Sequence, residues 1–212
     1  MNKPVIVVGA GGHAKVVVDA LLAVHTALIG ITDANHARKG DRLMGITVLG
    51  NDDVLADYPP NAVDLVLGIG SVRVSAARQR IFEQFKMAGY QFRTFVHPSA
   101  FVSREAALGE GCQVMAGAVI QAGANLGANV LVNTHVSIDH DCRIGDHVHL
   151  GPGSVLCASV NLGAGSHVGG GSTIIQGIQL GRDVQVGAGA LIIRDCNDRT
   201  CHIGVPGKEW RI

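Results

Sequence analysis

Large aliphatic residues recur at every sixth position through the second half of the chain. Leu, Ile or Val occupies each of these positions without interruption from Val102 to Ile192, and a small or β-branched residue stands four positions after each of them. A period of six matches neither the 3.6-residue turn of an α-helix nor the alternation of a β-strand. It predicts short strands joined by tight corners, wound as a hexapeptide β-helix, with two inward residues per hexad.

We number each hexad from its large aliphatic residue, so that the small inward residue is at position five. Glycine often follows the large residue at position two, as in LGEG, IGDH and VGGG. Because glycine adopts backbone conformations that other residues resist, we predict the corners at these glycines. The cysteines at positions five are predicted to be small core residues: Cys112, Cys142 and Cys196.

The first part of the chain has a different pattern, which predicts a strand, a glycine loop, a helix and a second strand. Gly9, Gly11 and Ala14 complete a G-x-G-x-x-A fingerprint after the first strand, and Asp33 ends the second. In a Rossmann unit such glycines let the backbone approach a diphosphate, and the acid binds a ribose hydroxyl. We favour a nucleotide or nucleotide-sugar site over an NAD site, because a dinucleotide normally needs two such halves. A purely structural glycine turn stays open, as does a helix-bordering role without a ligand for His13.

The domain division follows from this change of pattern. We predict a Rossmann-like nucleotide-sugar-binding domain at residues 1–96 and a β-helix domain with a C-terminal tail at residues 97–212. Pro98 favours an extended entry into the first coil.

Composition narrows the function classes. Seventeen basic and 17 acidic residues cancel, which argues against nucleic acid or an anionic membrane as the main partner. The 5 cysteines are odd in number and contain no C-x-x-C pair, so the sequence suggests neither a disulfide framework nor a thiolate zinc site. No run of about 18 apolar residues occurs. We therefore expect a cytoplasmic protein that acts on small molecules.

Four segments together resemble a known family: GAGGHAKVV, VHPSA, NTHVSIDHDCRIGDHVHLGPG and GVPGK. The chain resembles the hexapeptide-repeat sugar acetyltransferases related to sialic acid O-acetyltransferase, and more specifically the N-acetyltransferases of nucleotide-linked 4-amino sugars of the bacillosamine and perosamine type. The resemblance implies a Rossmann-like lobe followed by a left-handed parallel β-helix. It also implies acetyl-CoA as cosubstrate, no metal, and a homotrimer with active sites between subunits.

The same resemblance implies roles for individual residues. His140 matches the general base, and Asp141 matches an adjacent acid that is often Glu in such enzymes. The implied substrate-binding residues are Gly9, Gly11, Gly12, His13, Asp33, Gly70 and Asn133, and those on the acetyl-CoA side are His149, Gly170 and Lys208, with Arg211 as a further phosphate contact.

The hexad register supports the choice of His140. It stands at position three, a predicted corner whose side chain faces outward, and an imidazole with an ordinary pKa of about 6.5 is a suitable base near neutral pH. No residue demands a covalent acetyl-enzyme, so we expect direct transfer, with a backbone N–H near His149 holding the carbonyl oxygen. His135, His147 and His167 are also predicted to face outward, as solvated or interface residues.

Three alternatives stay open. The enzyme could acetylate a hydroxyl of sialic acid or another sugar. His135 and His140 are spaced like the metal-binding histidines of β-helical carbonic anhydrases, although Ser99 stands where a third histidine is expected. The prism could also serve only to cluster nucleotide-sugar-binding lobes without catalysis.

Overall fold

The structure is a computed structural model that describes residues 3–74 and 76–210. Its first part is a five-stranded sheet in the order β3-β4-β2-β1-β5, in which the β3–β4 pair is antiparallel and the other pairs are parallel. The strands are β1 (Val5–Val8), β2 (Leu28–Thr32), β3 (Arg42–Leu43), β4 (Ile46–Gly50) and β5 (Asp64–Leu67). The helices are α1 (Gly12–Ala23), α2 (Ala76–Met87) and two short 3-10 helices, His36–Arg38 and Asp52–Asp57.

Burial explains this arrangement. Strand β1 is buried along its whole length, as expected for the centre of a parallel sheet covered on both faces. Helix α1 buries Val17, Val18 and Leu21 against the sheet, and α2 buries Phe82 and Phe85 in a second cluster that also includes Phe92. The strand–helix–strand order of a Rossmann-like lobe is confirmed.

The second part is a three-faced prism of two-residue strands. Each strand pairs in parallel with the strand eighteen residues further along the chain, as Leu131 pairs with His149 and His149 with His167. One face holds β6 (Phe95–Val96), β9 (Gln113–Val114), β12 (Leu131–Val132), β15 (His149–Leu150), β18 (His167–Val168) and β21 (Gln185–Val186). The second holds β7 (Phe101–Val102), β10 (Val119–Ile120), β13 (Ser137–Ile138), β16 (Val155–Leu156), β19 (Thr173–Ile174) and β22 (Leu191–Ile192), and the third β8 (Ala107–Leu108), β11 (Asn125–Leu126), β14 (Arg143–Ile144), β17 (Asn161–Leu162) and β20 (Gln179–Leu180).

The predicted fold class, a Rossmann-like lobe followed by a left-handed parallel β-helix, is confirmed. Hexad positions one and five form one continuous core, from Cys112 to Cys196, with Val102 and Leu108 partly buried at the N-terminal end. Strands β23 (Cys201–Ile203) and β24 (Lys208–Trp210) form an antiparallel pair that extends the first face. The predicted division after residue 96 stays a prediction; strand β6 already pairs with the prism.

The predicted role of the position-two glycines as corner residues was wrong, although His140 at position three does lie in a corner. The left-handed backbone occurs at hexad position four, where glycine alternates with Asn129, His135, Asp141, His147, Ser159 and Asp183, all with φ between 54° and 61°. Asn, Asp and His tolerate this region better than most residues. Glycine occurs at position two for a different reason, because successive coils stack too closely there to leave room for a side chain. A Cβ on Gly145 would lie 2.6 Å from the backbone nitrogen of Ala164 in the next coil.

The lobe covers one face of the prism. Phe82 of α2 packs edge-on against His147, with ring centroids 5.5 Å apart, and Lys86 forms an ion pair with Glu110 at 2.7 Å. Met115 and Leu131 of the prism belong to the same apolar cluster as α1. No helix in residues 3–74 or 76–210 combines the length and apolar character needed to span a membrane.

Candidate active site

A cleft of about 550 Å³ lies between the lobe and the prism. Its wall includes His13 from the start of α1, Gly70 from the segment after β5, Asn133 from the end of β12 and His149 from β15. The glycine loop and the segment after β5 follow the carboxyl ends of parallel strands, the usual edge for ligands in such sheets. The fold therefore brings together four of the residues that the sequence predicted for the site.

His149 is held by a chain of hydrogen bonds. The Oδ1 atom of Asn133 accepts a bond from the Thr134 backbone N–H at 2.8 Å, which turns its amide nitrogen towards Nε2 of His149 at 3.4 Å. Since Nε2 then accepts, Nδ1 of His149 carries the proton and donates to Oγ of Ser71, 2.9 Å away. The Ser71 hydroxyl lies 3.5 Å from Nδ1 of His167.

Burial keeps the two histidines of this hydrogen-bonded chain, His149 and His167, uncharged at neutral pH. Desolvation, helped by His167, Arg78 and His13, lowers the pKa of His149 to about 3. Desolvation lowers the pKa of His167 to about 4. His149 is only 7% exposed and His167 6%, because the segment around Ser71 covers them. The prediction that His167 faces outward from the prism was right, but it is not solvated.

His13 is fixed by a residue that sequence reasoning missed. Its Nε2 lies 3.2 Å from Oε1 of Gln113, whose amide nitrogen donates to the Leu67 carbonyl at 2.8 Å. Burial, with a contribution from Arg78, lowers the pKa of His13 to about 4. Gln113, His149 and His167 all occupy hexad position six on one prism face, with Leu131 between the first two, so polar residues at this position are the sequence signal for all three.

His140 lies in a different setting. It follows β13 on another face of the prism, and its side chain is 57% exposed. Its Nδ1 is 2.8 Å from Oδ2 of Asp141, and this hydrogen bond raises the pKa of His140, with smaller contributions from the charges of Asp139 and Asp141. The left-handed backbone of Asp141, φ 59°, turns the carboxylate towards the imidazole. Asp141, although shorter than the Glu that is common at this position in the family, thus contacts the imidazole directly.

The coil below makes room for this carboxylate. A Cβ on Gly123 would collide with Oδ1 of Asp141, so glycine at that corner allows the acid to lie flat. Neither His140 nor Asp141 lines the junction cleft of the single chain. The structure therefore separates the predicted base from the residues that surround the cleft.

A second cleft, of about 220 Å³, is formed by the glycine loop and the end of β2. It brings together Gly9, Gly11 and Asp33, and a Cβ on either Gly11 or Gly12 would meet no atom within 4 Å. Gly9 has φ 94°, and a Cβ there would lie 2.6 Å from the Ile69 side chain. The loop therefore requires Gly9 for its own fold, while Gly11 and Gly12 present open backbone to a ligand.

Asp33 already has a partner that the sequence analysis did not find. Nη1 of Arg38 lies 2.9 Å from Oδ2 of Asp33 and also donates to the Ala10 carbonyl at 2.7 Å. The arginine thus connects the acid to the glycine loop. The sequence signal was a basic residue shortly after the strand that ends in an acid.

The remaining predicted residues lie elsewhere. Gly170 follows β18 and accepts a bond from the Gly189 N–H at 2.9 Å, and Lys208 lies exposed in β24. Neither lines the two clefts, and Arg211 lies outside the described residues. The N–H groups of His149 and Gly151 both donate to the next coil, so neither is free to hold a carbonyl oxygen as predicted.

Other histidines serve the fold. Nδ1 of His147 accepts a hydrogen bond from the amide nitrogen of Asn129 at 3.0 Å, and its ring packs on Phe82. In residues 3–74 and 76–210, no three His, Cys, Asp or Glu side chains are grouped so that they could hold a metal ion.

Family models match both parts of the chain. Residues 4–85 match the "PglD N-terminal domain", and residues 123–158 match the "Bacterial transferase hexapeptide (six repeats)". The chain is 35% identical over 126 residues to UDP-N-acetylbacillosamine N-acetyltransferase of Bacillus subtilis. This alignment covers 54% of this chain and 52% of that protein. The chain spans between 35% and 52% of the length of the curated relatives it matches.

Two solved structures are similar over nearly the whole chain. PerB from Caulobacter crescentus, crystallised with CoA and GDP-perosamine, is 37% identical, with a TM-score of 0.90 over 98% of this chain and 97% of that one. The acetyltransferase domain of PglB from Neisseria gonorrhoeae, in complex with acetyl coenzyme A, is 35% identical, with a TM-score of 0.90 over 99% and 100%. The Caulobacter enzyme was also crystallised with one histidine replaced by Asn or Ala.

Proposed function

Because the chain belongs to the family of hexapeptide-repeat sugar acetyltransferases that includes the Caulobacter perosamine N-acetyltransferase, we propose that it is an acetyl-CoA-dependent N-acetyltransferase. Its acceptor is the 4-amino group of a UDP- or GDP-linked dideoxy amino sugar. The observation that carries the proposal is the junction cleft, where His13 and Gly70 of the lobe meet Asn133 and His149 of the prism. The likeness to two ligand-bound acetyltransferases supports it over nearly the full chain.

The nucleotide end of the substrate binds in the lobe. The open backbone at Gly11 and Gly12 lets the diphosphate approach the N-terminus of α1, where free N–H groups and the helix dipole favour negative charge. Asp33, held by Arg38, accepts from a ribose hydroxyl. The sugar then extends from the lobe towards the prism.

The acetyl transfer uses His140 as general base. Since Nδ1 of His140 bonds to Asp141, Nε2 carries the lone pair that takes a proton from the sugar amine as nitrogen attacks the thioester carbonyl. The resulting tetrahedral intermediate collapses with loss of the coenzyme A thiolate, which receives the proton from Nε2. Neutral His149 lies on the acetyl-CoA side, next to the acyl group. The amide of Asn133 has a second N–H besides the one directed at His149, and this N–H donates to the acceptor sugar.

We extend the proposal to a homotrimer with sites between subunits. His140 and Asp141 lie on a different prism face from His149 and line neither cleft of their own chain, which supports a base supplied by a neighbouring copy. Gly170 follows β18 and Lys208 lies in β24, and both strands come later on the face that carries His149, as expected for contacts of coenzyme A along the groove between prisms. A cytoplasmic location remains part of the same proposal.

Two measurements test these points. Purified protein is assayed for free thiol release from acetyl-CoA with a panel of UDP- and GDP-linked 4-amino sugars, with the 4-hydroxy sugar nucleotides and sialic acid as matched controls. Release with the amine acceptors alone is expected, and release only with a hydroxyl acceptor would overturn the assignment. N-acetylation is favoured because the named relatives are N-acetyltransferases.

A site built from two subunits is tested by forming mixed trimers from two inactive variants. The His140→Ala and His13→Ala chains are each expected to be inactive alone, because each damages one half of every site. Unfolding them together and refolding them as mixed trimers restores activity in the sites that receive both intact halves. No recovery in trimers of confirmed mixed composition would contradict a site built from two chains.

A further inference from the structure

Arg78 is a buried arginine whose donors are only partly used. It lies in the first turn of α2 and is 5% exposed. Its Nη1 donates to the Ile69 carbonyl at 2.7 Å, which holds the start of the helix against the segment after β5. The buried Nε and Nη2 atoms have no hydrogen-bond partner among the described residues. Nε and Nη2 form one edge of the guanidinium, the edge that binds two oxygens side by side.

Among the described residues, no carboxylate forms a hydrogen bond with the Nε or Nη2 atom of this arginine. Its pKa is lowered by burial to about 10, so it stays charged at neutral pH. The imidazoles of His13, His147 and His149 also have lowered pKa values, partly because of Arg78, and are neutral there. A buried charge without a partner is costly, and in proteins such charges are normally paired.

Arg78 borders a cavity of about 90 Å³ between α2 and the prism. The opposite wall comprises His147, His149 and His167, and Ala76 brings the N-terminus of α2 to it. Asp183 also lines the cavity, but its carboxylate lies over the Gly165 corner and makes no hydrogen bond with Arg78 in the described structure. A cavity of this size is several times the roughly 10 to 15 Å³ that one water needs.

We propose that this cavity is a binding site for a tetrahedral oxyanion of the phosphate class, paired with the buried guanidinium of Arg78. Two adjacent N–H donors fit two oxygens of one phosphate, and the positive end of α2 adds to the attraction. Neutral His167 on the far wall has Nδ1 directed at the Ser71 hydroxyl, so its Nε2–H can donate a further hydrogen bond. The bound anion would connect α2 to the prism and neutralise the charge of Arg78, whose Nε and Nη2 atoms have no partner among the described residues.

The phosphate group has two possible sources. Ser71, Arg73 and His149 line both this cavity and the larger junction cleft, so the oxyanion is either free inorganic phosphate or a phosphoryl group of a ligand that reaches over from the cleft. The cavity shares His149 with the proposed acetyl-transfer site, but phosphate binding can be measured without any turnover.

The test is equilibrium dialysis of the full chain with radiolabelled inorganic phosphate. Saturable retention of one phosphate per chain is expected, and Arg78→Met should weaken it at least about tenfold because the bidentate contact is lost. Arg80→Met is the matched control, since Arg80 is exposed on the same helix. Circular dichroism confirms that each variant is folded, and the unmodified protein alone gives a decisive result if Arg78→Met does not fold.

A second arm separates the sources. Coenzyme A, UDP and GDP are titrated by calorimetry into the same three proteins in phosphate-free buffer. Phosphate retention that none of these ligands displaces supports a free-phosphate site. A tenfold loss of affinity for one of them in Arg78→Met, but not in Arg80→Met, supports the phosphoryl source. No phosphate retention and no affinity change means that the cavity holds water only and overturns the proposal, whatever the outcome of the acetyltransferase assay.

Discussion

The corner at His140 and the junction at His149 both present an imidazole, but the pKa is raised at the corner and lowered at the junction. At the corner the imidazole is exposed and bonded to a carboxylate, which raises its pKa. At the junction the lobe removes water from His149 and His167, which lowers their pKa values. One prism thus presents a basic imidazole on one face and neutral hydrogen-bonding imidazoles on another. The difference shows that burial by the lobe, rather than the repeat itself, decides what each outward histidine can do.

The largest expected effect comes from removing the corner imidazole. His140→Ala should lower kcat by at least about a hundredfold, because general-base catalysis typically contributes roughly 10² to 10⁴ in rate. The exposed side chain makes no core contact, so thermal unfolding should stay unchanged. Steady-state kinetics of thiol release measure the loss, and near-normal turnover would assign the base to another residue.

Acid should lower the free energy of unfolding through the buried histidines at the junction and not through His140 at the corner. The folded-state pKa values of His13, His149 and His167 are about 3 to 4, below their unfolded value of about 6.5. Between these limits the unfolded chain binds more protons, so the free energy of unfolding falls as pH drops below about 6.5 and is unaffected by these groups above it. We expect a loss of roughly 3 kcal/mol or more between pH 7 and pH 4.

Urea unfolding at a series of pH values measures this loss. His149→Asn should flatten the slope, since the buried ionisable group is removed. His25→Asn is the control, because His25 is exposed and Asn tolerates its left-handed backbone, φ 54°. Equal slopes in all three proteins would show that His149 does not contribute to the loss of stability in acid.

Asp141→Asn should sharpen the contrast at the corner. Loss of the carboxylate lets the pKa of His140 fall towards its ordinary value, although Asp139 still raises it. The acidic limb of the kcat/KM profile should move to lower pH, and the plateau should drop by roughly tenfold because the base is weaker and less well oriented. A profile with an unchanged acidic limb would separate Asp141 from the protonation of His140.

The smallest expected effect is at Ser71. Ser71→Ala removes the hydroxyl that links His149 to His167, and the loss of one hydrogen bond of about 1 kcal/mol predicts roughly a fivefold decrease in kcat/KM. Ser71→Thr keeps the hydroxyl and should restore most of the activity. If both substitutions reduce kcat/KM equally, the segment contributes by packing and not by orienting His149.

Some features of the molecule follow from sequence because they are local. The inward positions of the prism repeat every six residues, so Leu150 and Val148 can be assigned to the core without knowledge of the rest of the chain. His140 and Asp141 are adjacent, and their contact depends on one corner. Even there the reason for the glycines was misjudged, because position two is limited by the neighbouring coil and not by its own backbone.

Other features depend on residues that are distant in sequence, and only the folded chain decides them. Ser71 and His149 are 78 positions apart, and Gln113 is 100 positions from His13. The sequence alone determined the prism, its core register, the glycine loop and the outward position of His140. The tertiary structure decided which outward residues the lobe covers, and therefore which imidazoles lose their water and stay neutral, because desolvation depends on what packs above a side chain and not on its place in a repeat.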